Sequence, residues 1–222
     1  MSDIETKSTP PQDLADTRPM SQLVHPIWWL LGIGILLAVA ALLVDQPASD
    51  YLSDEVVRER VYNLFWIPAA AGLYFFLLAI LASFPNWRRL YVGFFAAVLL
   101  TALMTHALKW SVGRARPHQE LGQWTCRPFS WDGSFESFPS GHSSGAIALA
   151  ILLGIYFPRA RWIFYFYAGM MGLERIVHYK HFLSDVLAGY VIGILATWIC
   201  IRALGASFYQ KDWRPTTLEP LN

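Results

Sequence analysis

Six long apolar stretches set the terms for this chain: Ile27 to Val44, Tyr62 to Phe84, Leu90 to Leu108, Ser144 to Phe157, Trp162 to His178 and Phe182 to Leu204. A helix rises about 1.5 Å per residue, so crossing a bilayer takes roughly 20 apolar residues. The fourth stretch is short by that measure and predicts a helix that begins back near Ser140. The stretches are continuous runs, without the polar/apolar alternation of barrel strands. They predict an all-α, polytopic membrane protein, a bundle of six transmembrane helices. Composition agrees: 15% of residues are charged, against about 25% in a soluble domain. A net charge of +1 with no basic patch or tail gives no footprint for nucleic acid. Cys126 lies in a polar loop and Cys200 in an apolar stretch, so the two are expected to stay unpaired, and there is no zinc motif.

No repeat or long polar linker divides the 222 residues, which predicts one domain. Residues 1–25 carry four acids, two bases and three prolines, and read as a disordered polar tail. Their acidic start and the long apolar run that follows do not resemble a secretory signal, so that run is expected to be a retained first span. The membrane domain is then 26–205, and 206–222 forms a C-terminal tail.

Basic residues set the orientation. "FPNWRR", "PRAR" and the tail with Arg202, Lys211 and Arg214 hold the basic excess and belong in the cytoplasm, whereas "DQPASDYLSDEVVRER" has five acids against two arginines. Both termini are therefore expected inside. The loop from Lys109 to Ser143, the turn around Lys180 and the acidic first loop then share the outer face. Trp28, Trp29, Trp87, Trp110 and Trp162 fall near span ends, where indole rings favour the headgroup region.

The outer face gathers chemistry. Lys109, Arg114, Arg116 and Arg175 are cationic donors, and guanidinium forks suit phosphate oxygens. Ser140 and Gly141 open the fourth helix, whose unpaired N–H groups favour an anion. His181 and Asp185 are four apart, so on a helical turn the carboxylate accepts the Nδ1 proton and leaves Nε2 as a nucleophilic lone pair. His142 is placed to protonate the departing oxygen. The implied reaction is in-line phosphoryl transfer to His181, followed by hydrolysis of the phosphohistidine.

Other polar residues carry weaker signals. His178 has Phe182 four residues on, so no carboxylate supports it, and it reads as structural or as a substrate gate. His106 either lines the pocket or bonds between helices, the latter being the commoner arrangement. The aromatic residues of "WIFYFYAGMMG" read as packing and lipid-facing surface. A metal held by His142, His178, His181, Asp185 and Glu174 is the chemical rival, but the adjacent Lys and Arg residues disfavour a bound cation. No metal or other cofactor is therefore expected.

These motifs resemble the type 2 phosphatidic acid phosphatase family. Its pattern is a Lys six residues before Arg-Pro, then Pro-Ser-Gly-His, then Ser-Arg, five residues, His, three residues, Asp. Here "KWSVGRARP" runs from Lys109 to Pro117, "PSGH" from Pro139 to His142, and "ERIVHYKHFLSD" holds Arg175, His181 and Asp185 in register. Arg114 lies at a position the pattern leaves free. Glu174 stands where the family usually has Ser. A carboxylate there repels a phosphate, so Glu174 is expected to turn away and pair with Lys180 or Arg114.

The resemblance implies a six-helix lipid phosphatase that works without metal. Lys109, Arg116, Ser140, Gly141 and Arg175 would contact the phosphate, with His142 as acid, His181 as nucleophile and Asp185 as its orienting partner. The substrates it implies are membrane lipid phosphates: undecaprenyl diphosphate and related prenyl carriers, phosphatidic acid, phosphatidylglycerol phosphate or lipid A. It also implies a bacterial inner membrane, with the site facing the periplasm. Transfer to a second lipid instead of water is the related alternative. An anion transporter fits less well, because no ionisable residue continues through the other half of the bundle. A vanadate-dependent haloperoxidase, a wider relative, fits poorly with six spans in so short a chain. Oligomeric state is not legible, since apolar helix surfaces meet lipid or protein equally well.

Overall fold

The computed structural model describes residues 27–53 and 88–205. Within them the chain is all-α: α1 (Ile27–Ala41), α2 (Asp45–Ser53), α3 (Arg88–Val112), α4 (Gly141–Tyr156), α5 (Arg161–Val177) and α6 (Leu183–Leu204). Five of the six apolar stretches are thus helical, and Tyr62 to Phe84 lies outside the described residues, as do both tails. Among the described residues, α3 and α6 are long and apolar enough to cross a membrane. A third span results if α1 and α2, bent by 61° at their junction, count as one. That is fewer than the six expected. The fourth stretch gives a 16-residue helix that starts directly after Ser140, as its shortness predicts.

The first stretch departs from expectation, since α1 stops at Ala41 instead of running to Val44. Leu42, Leu43 and Val44 donate to carbonyls three residues back, tightening the last turn into a 3₁₀ geometry. The chain then bends, and α2 opens on Asp45, which is fully buried beneath the start of α6.

α4 and α6 form the centre: α4 packs on α3, α5 and α6, and α6 packs on α1, α3 and α4. Small residues make this possible, because close helix contact in lipid depends on backbone approach and van der Waals packing. A Cβ at Gly189 would fall 2.5 Å from the Ser140 carbonyl oxygen, and one at Gly193 would fall 2.3 Å from that of Ser144. Ala146, Ala148 and Ala150 are all buried, so α4 is covered on more than one face. Phe94, Ala97, Leu152 and Cys200 close the core between α3, α4 and α6, and Ala146, Ala150, Ala168 and Met171 close it between α4 and α5. Cys126 and Cys200 are both free thiols, one exposed and one buried.

The outside is equally patterned. Phe95, Leu99 and Leu103 form an exposed apolar row along α3, while Ala97, Thr101, Thr105 and Lys109 form the buried row. Both rows step by four residues, the spacing that keeps side chains on one helix face. His106 belongs to the exposed side of α3.

Candidate functional site

Lys109 is the last member of that buried row, and its Nζ donates to the Glu136 carbonyl. Its Cε reaches within 3.9 Å of the position a Cβ on Gly141 would take, so the lysine lies against the first turn of α4. The helix ends at Gly113, whose φ of +59° suits glycine. A side chain there would also collide with the Arg127 carbonyl, 1.9 Å from the Cβ position. That close approach folds the loop back on itself. Arg127 N–H donates to Gly113 O at 2.6 Å, Ala115 N–H to Thr125 O at 2.8 Å and Ser137 N–H to Arg114 O at 3.0 Å. Arg116 is fixed by Nε donating to Gly133 O at 2.9 Å and N–H donating to Ser134 O at 2.9 Å.

Ser140 caps α4: its Oγ accepts from Ser143 Oγ at 2.9 Å and, at 3.4 Å, from Ser143 N–H. Its own N–H donates to Asp185 O at 2.9 Å, tying the start of α4 to the start of α6. Thr105 and Ser144 join by their hydroxyls at 3.0 Å, fastening α3 to the same turn. His142, the second residue of α4, lies on its exposed side.

His181 is buried and precedes α6 instead of opening it, because the helix starts at Leu183. The expected helical relation to Asp185 therefore does not hold. Nδ1 lies 2.7 Å from the Ser137 carbonyl oxygen and 3.8 Å from Asp185 Oδ2. A carbonyl can only accept, so the network assigns the proton to Nδ1 and leaves the lone pair on Nε2. Burial pushes the His181 pKa below its ordinary value of 6.5, against the opposing pull of Asp185. The ring is thus held neutral at a position where charge is expensive to bury.

Asp185 supports this arrangement from behind. It accepts from Ser137 Oγ at 2.6 Å, from Phe182 N–H at 2.9 Å and from Arg114 Nη1 at 2.6 Å. Arg114 is the residue whose importance the sequence hides. Its guanidinium also donates to Asp45 at 3.0 Å, Ser184 Oγ at 2.7 Å and Gln123 O at 2.8 Å, and stacks over Phe182 at 4.2 Å. Asp45 in turn accepts from Ser184 N–H at 2.9 Å and from Ser184 Oγ. Among its described residues, the acidic first loop reaches this cluster through Asp45 and through Gln46, whose Oε1 accepts from Gln123 N–H at 3.1 Å. Asp45, Ser137 and Ser184 carry no motif, and only Asp45, an acid ending an apolar run, offers any signal in the sequence.

Arg175 closes the last turn of α5, and its carbonyl accepts from the N–H groups of Lys180 and His181, at 3.1 and 3.3 Å. Glu174 does not pair with Lys180 or Arg114. Its two carboxylate oxygens accept from Nε and Nη2 of Arg175, and Oε1 lies 3.4 Å from His178 Nε2. The i,i+1 partner and the i,i+4 partner are simply closer than the expected ones. His178 thus has a carboxylate after all, one turn before it.

The residues expected from the motifs converge. Lys109 and Arg116 lie within electrostatic reach of each other and of Asp185. Arg116 and Arg175 likewise interact, and His142 interacts with Arg175, His181, Glu174 and Lys109. Ser140 and Gly141 are beside them through Asp185 and Lys109. Several positive groups thus face one helix N-terminus, an arrangement suited to an oxyanion. Among the described residues, no group of three or more His, Cys, Asp or Glu is arranged to hold a metal ion, the rival set of two acids and three histidines included.

Residues 90–209 match the family described as PAP2 superfamily. The chain is 37% identical over 114 residues to the lipid A 1-phosphatase of Rhizobium etli, a match spanning 50% of this chain and 48% of that protein. The lipid A 1-phosphatase of Rhizobium johnstonii is also 37% identical over 114 residues, covering 50% of this chain and 46% of that one. The chain spans about half the length of these curated relatives. Its fold is similar to the crystal structure of a transmembrane PAP2-type phosphatidylglycerolphosphate phosphatase from Bacillus subtilis. That similarity has a TM-score of 0.51 at 21% identity, covering 85% of this chain and 97% of the other.

Proposed function

The chain belongs to the PAP2 superfamily, and on that premise we propose that it is a metal-independent phosphatase for a membrane lipid phosphate, acting through a covalent phosphohistidine. The observation that carries this reading is the His181–Ser137 contact of 2.7 Å, which commits Nδ1 and leaves Nε2 to react. The phosphoryl group docks against Lys109, Arg116, Arg175, the Ser140 hydroxyl and the first N–H groups of α4. Nε2 of His181 attacks phosphorus as the bond to the leaving oxygen breaks, and His142 protonates that oxygen. Burial and Arg175 hold the His142 pKa down to about 4 without substrate, and the negative charge of the docked phosphoryl group raises it toward the protonated form this step needs. His142 then takes a proton from water, the water oxygen attacks phosphorus, the P–N bond breaks and inorganic phosphate leaves. The cations neutralise charge on the equatorial oxygens in both steps. Asp185 acts through Ser137 and the turn before α6 as a positioning residue.

The reading extends to a six-span bundle in a bacterial inner membrane, with both termini cytoplasmic and the site at the periplasmic face. The polar cluster at the meeting of α3, α4, α5 and α6 supports one such face, and Arg159, Arg161 and Arg202 at the opposite helix ends support the orientation. Lipid A phosphate stands first among candidate lipids because of the two Rhizobium relatives. Undecaprenyl diphosphate, phosphatidic acid and phosphatidylglycerol phosphate remain in the panel.

The test is phosphate release from that panel by purified protein in detergent containing EDTA, for wild type and His181→Ala. Release by wild type from at least one lipid, and loss of about 10³-fold or more in the variant, is expected. Retained turnover in His181→Ala, or activity abolished by the chelator, sinks the mechanism.

A further inference from the structure

Glu174 is nearly fully buried, 6% exposed, and it grips the guanidinium of Arg175 with both carboxylate oxygens. A guanidinium carries its five N–H donors in a fixed fork, and its Nε/Nη2 edge is one of the two faces that can hold an oxyanion bidentately. A carboxylate and a phosphate compete for such an edge on the same geometric terms. Glu174 also lies within electrostatic reach of His142, alongside Arg175 and Lys109, so its charge is on the pocket side of α5. Its Oε1 also lies 3.4 Å from His178 Nε2.

We propose that Glu174 is an internal anion that occupies the bidentate edge of Arg175 and sets how tightly the pocket retains a free phosphate. The proposal rests on the reading of Arg175 as a phosphate ligand. A bound phosphoryl group must share or displace the Glu174 contact, and this weakens lipid substrate and inorganic phosphate equally. The lipid keeps the contacts of its apolar chains and its high local concentration in the bilayer, whereas the free product has neither. An equal penalty on both raises both dissociation constants by the same factor, but the lipid starts from the tighter binding and stays captured where the free product leaves. The residue determines anion affinity, and a Ser at this position, as in the family pattern, imposes no such competition.

The experiment measures the inhibition constant of inorganic phosphate, with orthovanadate as a second probe, in wild type, Glu174→Gln, Glu174→Ser, Arg175→Ala and Glu174→Gln/Arg175→Ala. Direct phosphate binding by calorimetry in detergent accompanies it, so that a variant with no turnover still reports. Glu174→Gln and Glu174→Ser are each expected to bind phosphate about ten-fold more tightly, with KM for the lipid falling by a similar factor where chemistry is slow relative to substrate dissociation. The gain should vanish in the Arg175→Ala background, which a merely structural role for Glu174 would not produce. If Arg175→Ala weakens phosphate binding while both Glu174 variants leave it unchanged or weaker, the Glu174 proposal fails alone. If Arg175→Ala binds phosphate as wild type does, the phosphate-ligand reading fails and the proposal falls with it.

Discussion

Replacing Arg114 with Met keeps the bulk of the side chain and deletes the cation between two carboxylates. Both partners, Asp45 and Asp185, have fully buried side chains, and Arg114 itself is 4% exposed. After the change, Asp185 keeps the Ser137 hydroxyl and Phe182 N–H, and Asp45 keeps both Ser184 donors. Neither keeps a counter-charge within bonding distance. Removing one partner of a buried ion pair costs about 3–5 kcal/mol. At roughly 2–4 °C per kcal/mol for a chain of this size, the melting midpoint falls by about 6–20 °C. Thermal unfolding in detergent, followed by circular dichroism, measures the fall. Adding Asp45→Asn should recover about 1–3 kcal/mol of the loss, because one of the two stranded charges is removed. A melting point for Arg114→Met within about 2 °C of wild type, or strict additivity of the two changes, refutes the reasoning.

Three further outcomes follow from the structure. His181 has its pKa lowered by burial from 6.5, so its neutral form, the one the proposed mechanism needs, persists as pH falls through that value. The acid limb of kcat/KM assigned to His181 should therefore lie below 6.5, and a limb at or above it contradicts the buried setting. For stability the sign is the same: the unfolded chain binds this proton more readily, so stability contributed here is lost as pH drops below 6.5. Gly189→Ala would push a Cβ to 2.5 Å from Ser140 O, a backbone atom that cannot swing aside, whereas Gly145 has nothing within 4 Å of its Cβ position. The first should destabilise by about 1–3 kcal/mol and the second should stay within about 0.5 kcal/mol, as read from denaturation midpoints; equal effects contradict the close packing of α4 on α6.

How far the sequence speaks for the structure depends on whether a contact is local. The start of α4 after Ser140 is legible because an apolar run too short to span must extend back to a residue that can cap it. The Asp45–Arg114 contact joins residues 69 positions apart, and no local pattern reports it. The Ser137 carbonyl is a backbone atom, invisible to a reading that weighs side chains, yet it is the nearest acceptor to His181 Nδ1. The pairing of His181 with Asp185 is only partly a matter of helical spacing: the helix begins two residues beyond His181, yet Nδ1 still lies 3.8 Å from Asp185 Oδ2. Glu174 shows a further limit, since a carboxylate beside an arginine can bend toward its chain neighbour as readily as turn away.

The bond from Ser140 N–H to Asp185 O, with Gly189 letting α6 approach that same serine, joins the two helix starts backbone to backbone. Bilayers of different thickness tilt or stretch a bundle, and side chains absorb such strain by changing rotamer. Here the spacing between the oxyanion cradle and the imidazole is carried by main-chain atoms, which have no rotamers to change. Thinner or thicker membranes should thus tilt the helices around this junction, while the spacing of the two helix starts stays the same.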